Sequence, residues 1–408
     1  MSSYLWVCLW GLVNSAGVLG HAGVLVRIEA SKMELWLCML IVATSGALLM
    51  VGWSRSRLSW SVGLVVVEVM LCYWISNGSV ALILLSVCCG CCVIHFIAGR
   101  KEFRLPVQDK TVLITGCDSG FGHELAKILD KAGMKVYAGV LEEFGPGAQN
   151  LREVSSSLLT ILQMDITNIN QISEAHKLIK SQIGETGLWG LVNNAGVLGH
   201  ICDGELLPMR ILRKILNVNF IAGVEVTKVF LPLLRQAKGR VVCVSSVSGE
   251  VPFPGFSAYG ASKAAVISYY GALRQEMSKW GVKVVIVQPG AFKTNILGNP
   301  EEWSNIEKEI LSTQPLEVID AYGEEYICSM HQHLSNLTAQ SCADFRPVLD
   351  DIQHALLSEK PWAFYHPGHM AWAFPFLQRI FPTWMFDAIF AQIFTYGRLC
   401  PAALASKR

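Results

Sequence analysis

Charge is scarce in this chain. Of 408 residues only 16% are Asp, Glu, Lys or Arg, and 33 basic side chains nearly cancel 32 acidic ones, leaving a net charge of +1. No long basic or acidic block occurs, so the electrostatic footprint of a nucleic-acid binder is missing and no such partner is expected. A disulfide framework is missing too. The 13 cysteines are odd in number and mostly scattered, a pattern that fits a reducing compartment. Four of them, Cys88, Cys89, Cys91 and Cys92, share one apolar run with only His95 nearby. Zinc requires a fuller donor set, and no metal is expected.

What the chain has in place of charge is apolar surface. Hydrophobic residues make up 52%, and the mean hydropathy of +0.40 is high for a wholly soluble protein. Three apolar stretches, Met33–Trp53, Leu58–Ile75 and Val80–Ala98, follow one another. Each approaches the length that crosses a hydrocarbon core of roughly 30 Å. Arg55 and Arg57 separate the first two, Arg100, Lys101 and Arg104 follow the third, and the link Ser76–Ser79 is uncharged. Three spans would put both basic clusters on the cytosolic side, together with the rest of the chain. The organisation read from this is an atypical segment 1–32, membrane-anchor helices over 33–105, a nucleotide-binding domain over 106–366 and an aromatic tail over 367–408. The tail serves either as core-capping structure or as an amphipathic, membrane-associated segment. Segment 1–32 holds an internal repeat: Leu9–His21 matches Leu188–His200 except for Ser15 against Asn194. The early copy lacks the strands and helices that surround the later one and is given no catalytic role.

From Pro106 the pattern alternates. TVLIT, KVYAGVL, LLTILQM, LWGLVN, GRVVCVSS and VKVVIVQ read as six strands with helix-like segments between them, the first of these helices over Gly120–Ala132. Such alternation predicts an α/β fold with a doubly wound parallel sheet, Rossmann-like and preceded by transmembrane helices.

Two motifs carry chemistry. Thr115-Gly116-Cys117-Asp118-Ser119-Gly120-Phe121-Gly122 follows the first strand and opens a helix. Glycines there allow a tight turn and close approach of backbone to a pyrophosphate, and the helix N-terminus adds partial positive charge. The second is Tyr259-Gly260-Ala261-Ser262-Lys263, preceded by Ser246 at a strand end. Four apart on a helix, Tyr259 and Lys263 share a face. A free phenol titrates at about 10; an adjacent ammonium and a positive nicotinamide ring are expected to lower that value. Glu142 and Glu143 end the second strand, where a carboxylate accepts from a ribose 2′-hydroxyl and repels a 2′-phosphate. No Arg or Lys lies between Thr115 and Gly122. Glu142 and NAD are therefore preferred over an NADP reading.

These motifs, with Asn193-Asn194-Ala195-Gly196, with Asn219 in NVNF, and with Pro289-Gly290 followed by Thr294, resemble the short-chain dehydrogenase/reductase family in their order along the chain. The resemblance covers about Pro106 to Tyr365. It implies that Tyr259 accepts the substrate proton, that Lys263 activates it and holds the nicotinamide ribose, and that Ser246 orients the substrate hydroxyl. It implies that Asn219 supports a water relay, against the plain reading of a buried hydrogen-bonding asparagine. It places the cofactor on Thr115, Gly116, Ser119, Gly120, Gly122, Asp165, Asn193, Ala195, Gly196, Pro289, Gly290 and Thr294 as well. GVLEEFGPGA, LQMDIT, DGELL and EVTKVFLPLLR resemble the membrane-bound steroid dehydrogenases of that family. This implies NAD-dependent oxidation of the 17β-hydroxyl of oestrogens and androgens in the endoplasmic reticulum membrane. A corticosteroid 11β- or retinol dehydrogenase is the alternative, and a non-catalytic dinucleotide-binding scaffold a weaker one. By analogy alone, a homodimer is expected.

Overall fold

In the computed structural model the described residues are 105–405, without 299, 330–338, 340, 369 and 396–399. The apolar stretches between 33 and 98 and the repeat copy at 9–21 lie outside them.

The first half alternates β1 (Thr111–Thr115), α1 (Gly120–Lys131), β2 (Lys135–Val140), α2 (Pro146–Val154), β3 (Leu159–Gln163), α3 (Ile169–Ile183) and β4 (Gly190–Asn193). The second half runs through α4 (Met209–Leu216), a π-turn over Asn217–Ala222, α5 (Gly223–Gln236), β5 (Arg240–Val244), α6 (Ser257–Ser278) and β6 (Lys283–Val287). Pairing is parallel throughout, in the order β3-β2-β1-β4-β5-β6-β7. This is the doubly wound sheet that the alternation predicts. The chain winds outward from β1 to β3, then returns to β4 beside β1. That reversal opens a crevice at the carboxyl ends of β1 and β4, where such folds bind ligands.

Strands covered on both faces read as continuous apolar runs, and all five residues of β1 are buried. Alternation along β1 still sorts its side chains. Val112 and Ile114 join Leu125 and Leu129 of α1, together with Val348 and Ile352 of a later helix. Leu113 joins Ile172 of α3, Phe230 of α5 and Tyr270 of α6 on the other face. A fully buried side chain of this size contributes about 1.5–3 kcal/mol by removal from water, so each face is strongly held.

Among the described residues one continuous helix, Met209–Gln236, is long and apolar enough to cross a bilayer. Its apolarity serves the core: Val226, Phe230, Leu233 and Leu234 are buried against the sheet. The π-turn within it carries Asn219, and such turns concentrate at functional sites.

After β6 come α7 (Pro300–Thr313), α8 (Leu316–Tyr322) and α9 (Glu324–Cys328). Arg210 of α4 pairs with Glu309 of α7, and the Tyr326 hydroxyl donates to Asp203 at 2.7 Å. These contacts fasten α7 to α4 and α9 to the loop after β4. Then α10 (Arg346–Leu357) leads to β7 (Phe364–Tyr365), and α11 (Ala373–Ile380), α12 (Thr383–Thr395) and α13 (Ala402–Ala405) end the described chain. The strand β7 is not foreseen from the sequence, because two residues carry no periodicity. Helix α1 stops at Lys131, with Ala132 as its cap, one residue before the expected end.

Candidate active site

Every sequence-predicted site residue except Glu142 and Asp165, which stand on the flank at β2 and β3, gathers at the β1/β4 crevice and the neighbouring ends of β5 and β6. The glycine turn is built by contact rather than by flexibility. Gly116 has φ +70°, and a Cβ on Gly122 would fall 2.4 Å from the Gly116 oxygen and 2.5 Å from Nδ2 of Asn194. No side chain other than hydrogen fits. Ser119 stands at the N-cap of α1 but makes no side-chain cap bond. The first amides of α1 are thus left to an external acceptor. This geometry fits a dinucleotide phosphate cradle. The ideal Cβ of Gly120 lies 3.5 Å from Thr294, so the loop after β6 closes on the same turn.

Thr115 and Asn194 fasten the cradle to β4. The Thr115 hydroxyl oxygen accepts from the amides of Asn194 and Ala195, each at 3.1 Å. Asn194 Nδ2 donates to the carbonyls of Thr115 and Gly116, each at 3.0 Å. Asn194 belongs to the motif Asn193–Gly196, and its grip on the glycine turn is a contact that the motif alone does not reveal. Asn193 acts as a strut: its Nδ2 donates to Thr227 Oγ1 at 2.7 Å and to the Tyr270 hydroxyl at 3.1 Å.

At the end of β2, Glu142 is exposed and its carboxylate makes no hydrogen bond among the described residues. Asp118 of the glycine turn accepts from the Leu141 amide at 2.9 Å and the Glu142 amide at 3.2 Å. This contact of Asp118 is likewise unexpected, because an acid in a phosphate-binding loop has no obvious local use. A second acid therefore orders the backbone that presents Glu142. Asp165, after β3, accepts from the Thr167 amide at 2.9 Å and its hydroxyl at 2.8 Å, which shapes the turn into α3.

The reacting groups come from β5 and α6. Ser246 caps the short turn Val247–Gly249, and its Oγ accepts from the Ser248 amide at 3.2 Å. The Ser245 hydroxyl donates to the Lys263 carbonyl at 2.9 Å, tying strand to helix. Tyr259 stands in the first turn of α6 and packs with Leu198, Ile201, Trp303, Phe256 and Ile296. Lys263 is buried, with Nζ 3.0 Å from the Val244 carbonyl and 5.6 Å from the Tyr259 ring centre. Gly196 lies beside it, its ideal Cβ 3.4 Å from Lys263 Nζ. Buried Asn219 accepts from the Val197 amide at 2.7 Å and donates to the Val197 carbonyl at 2.8 Å and to Ser262 Oγ at 3.0 Å. The side chain amide is thereby occupied in bracing the end of β4 against α6.

The side chains by themselves set one part of the electrostatics. Burial pushes the Tyr259 phenol up to about 12, opposed by the Ser246 hydroxyl. Burial likewise pulls the Lys263 ammonium down to about 8. Within the protein alone, desolvation outweighs the lysine charge, whose hydrogen bond goes to a backbone carbonyl.

Three comparisons say what the chain is similar to. The sequence profile of the family described as short chain dehydrogenase matches residues 110–305. The chain is 43% identical to estradiol 17-beta-dehydrogenase 2 of Mus musculus, over 90% of this chain and 97% of that protein. It is also 43% identical to 11-beta-hydroxysteroid dehydrogenase type 2 of Bos taurus, over 74% of each. A solved short-chain dehydrogenase from Streptomyces avermitilis, 26% identical, superimposes with a TM-score of 0.51 over 70% of this chain and 95% of its own.

Proposed function

This chain belongs to the short-chain dehydrogenase family, and from that premise we propose that it oxidises the 17β-hydroxyl of oestrogens and androgens with NAD. The observation that carries the reading is the placement of Tyr259, with Ser246 beside it, against the apolar wall of Leu198, Ile201, Phe256 and Trp303. A mostly apolar alcohol buries its body on such a wall and offers one polar atom to the two hydroxyls. The printed name of the murine relative supports the 17β position.

Ser246 holds the substrate oxygen, and Tyr259 takes the hydroxyl proton. A bound nicotinamide dinucleotide supplies the hydride acceptor and the positive charge that lowers the phenol. Gly116, Ser119, Gly120, Gly122 and Thr294 would hold its phosphates, and Lys263 and Gly196 its nicotinamide side. Exposed Glu142, on a backbone ordered by Asp118, favours an unphosphorylated ribose. The complete set Ser246, Tyr259 and Lys263 speaks against a non-catalytic scaffold.

The apolar stretches between 33 and 98 support an endoplasmic reticulum membrane anchor with the catalytic domain in the cytosol. A homodimer is proposed by analogy with the family alone. The bovine relative supports 11β-oxidation of corticosteroids as the second reading.

Membranes containing the chain, supplied with NAD and a panel of 17β- and 11β-hydroxysteroids and retinol, test the proposal through NADH formation. Estradiol and testosterone turn over fastest if it holds, and a preference for another alcohol replaces it. Replacing Glu142 with Gln lowers the ratio of NAD to NADP efficiency by about tenfold, the scale of one lost charge-assisted hydrogen bond; an unmoved ratio removes Glu142 from cofactor choice.

A further inference from the structure

The carboxylate of Glu250 takes no part in the chemistry above, yet it joins three loops around it. Its Oε1 accepts from Gln288 Nε2 at 2.7 Å and lies 3.9 Å from His366 Nε2. Its Oε2 accepts from Arg379 at 2.9 Å. Gln288 is fully buried and directly precedes Pro289. The other end of that amide, Oε1, has no hydrogen-bond partner among the described residues, so Glu250 alone fixes its orientation.

The turn that carries Glu250 starts at Ser246. The Gly249 amide donates to the Ser246 carbonyl, and the Glu250 amide to that of Val247. The Val247 amide donates across to the Pro289 carbonyl, while the Gly290 amide donates to that of Pro367, next to His366. Arg379 arrives from α11, and Phe386 and Phe390 of α12 pack on Val247 and Val251 of the same turn. The bond to the buried Gln288 amide forms away from bulk water and is the stronger half of the tie, while Arg379 reaches the same half-buried carboxylate from the solvent side.

We infer that Glu250 is a positioning residue that locks the Ser246 turn to the Pro289 loop and to the C-terminal helices, so that the tail governs where the substrate-orienting hydroxyl stands. The inference rests on the proposed role of Ser246, whichever alcohol is the substrate. Misplacing a reacting group by about 1 Å can cost up to roughly a hundredfold in rate.

Arg379→Ala and Glu250→Gln in the full-length chain test it, with two readouts. Arg379 is 76% exposed, so its loss leaves folding intact. In Arg379→Ala, hydrogen exchange of the Val247–Val251 amides rises about tenfold and kcat falls about tenfold, with KM for NAD within about twofold. Glu250→Gln does the same, and the double variant is no worse than Glu250→Gln alone, because both act through one tie. Glu250→Asp restores part of kcat. Unchanged exchange in Arg379→Ala overturns the lock, and raised exchange with unmoved kcat overturns its link to the chemistry. Should Glu250→Gln fail to fold, Arg379→Ala decides by itself. Exchange is read without substrate, so a wild-type chain that oxidises no steroid sinks the proposed function and leaves the lock standing.

Discussion

The two sides of the crevice are built by opposite means. On the nucleotide side, backbone meets backbone so closely that a Cβ on Gly122 would overlap the Gly116 oxygen, and Thr115 and Asn194 lock the turn through four hydrogen bonds. On the substrate side, Tyr259 is lined by Leu198, Ile201, Trp303 and Phe256, and α7 and α9 are fastened from outside by Arg210–Glu309 and Tyr326–Asp203. The first side accepts almost one solution, since only glycine clears the contact. The second accepts many, since apolar side chains of similar volume exchange at small cost. A family can therefore keep its cofactor while changing its alcohol.

The sharpest break in the comparison is chemical. Tyr259→Phe keeps the ring in its apolar wall and removes the proposed proton acceptor. Turnover falls by about 10²–10⁴-fold, while NAD affinity by fluorescence titration stays near wild type. Substantial residual turnover would remove Tyr259 from its role.

Next in size is Gly122→Ala. Forcing a methyl into the cradle costs about 1–3 kcal/mol of stability and weakens NAD binding in the same titration, with the substrate wall untouched. Normal NAD affinity in a folded variant would show that the turn relaxes and that the contrast between the two sides is false.

Trp303→Leu probes the tolerant side. It raises KM for the alcohol by roughly tenfold, as one lost large apolar contact does, with KM for NAD unmoved. A change in both would mean that the wall also supports the cofactor.

Acid titration reaches the tie between them. His366, then Gln288 and Arg379, hold the Glu250 carboxyl below its ordinary value against burial. A carboxylate with a depressed folded pKa contributes stability above the ordinary carboxylate range and loses it as pH falls through the folded value. Melting temperatures from pH 7 downward decline less steeply in Glu250→Gln than in wild type; superimposable slopes would show that the tie adds nothing.

The smallest effect is a gain. Gly271 lies within α6 with nothing within 4 Å of its ideal Cβ. Gly271→Ala adds about 0.4–1 kcal/mol through helix propensity, measured by denaturant midpoint, in contrast to the loss at Gly122.

Much of the nucleotide side is legible in the sequence. The strands β1 to β6 announce themselves as apolar runs, and the glycines, Ser246, Tyr259 and Lys263 mark their positions because few other residues do their work. The contacts of Asn194 and Asp118 stay hidden because both act on backbone groups of segments distant in sequence, and nothing local shows that a side chain will reach them. Around Tyr259, likewise, helical spacing reveals the neighbouring ammonium but not the depth of burial that opposes it.

By itself, then, the sequence determined the order of strands and helices and named the groups proposed to react. Both follow from local periodicity and from side-chain chemistry that has no substitute. Only the tertiary structure decided that a two-residue strand closes the sheet, that Asn219 braces β4, and that Glu250 ties the tail to the serine turn. Those outcomes depend on which surfaces meet after the chain has wound back on itself, and burial and partner choice are properties of that meeting rather than of any one segment.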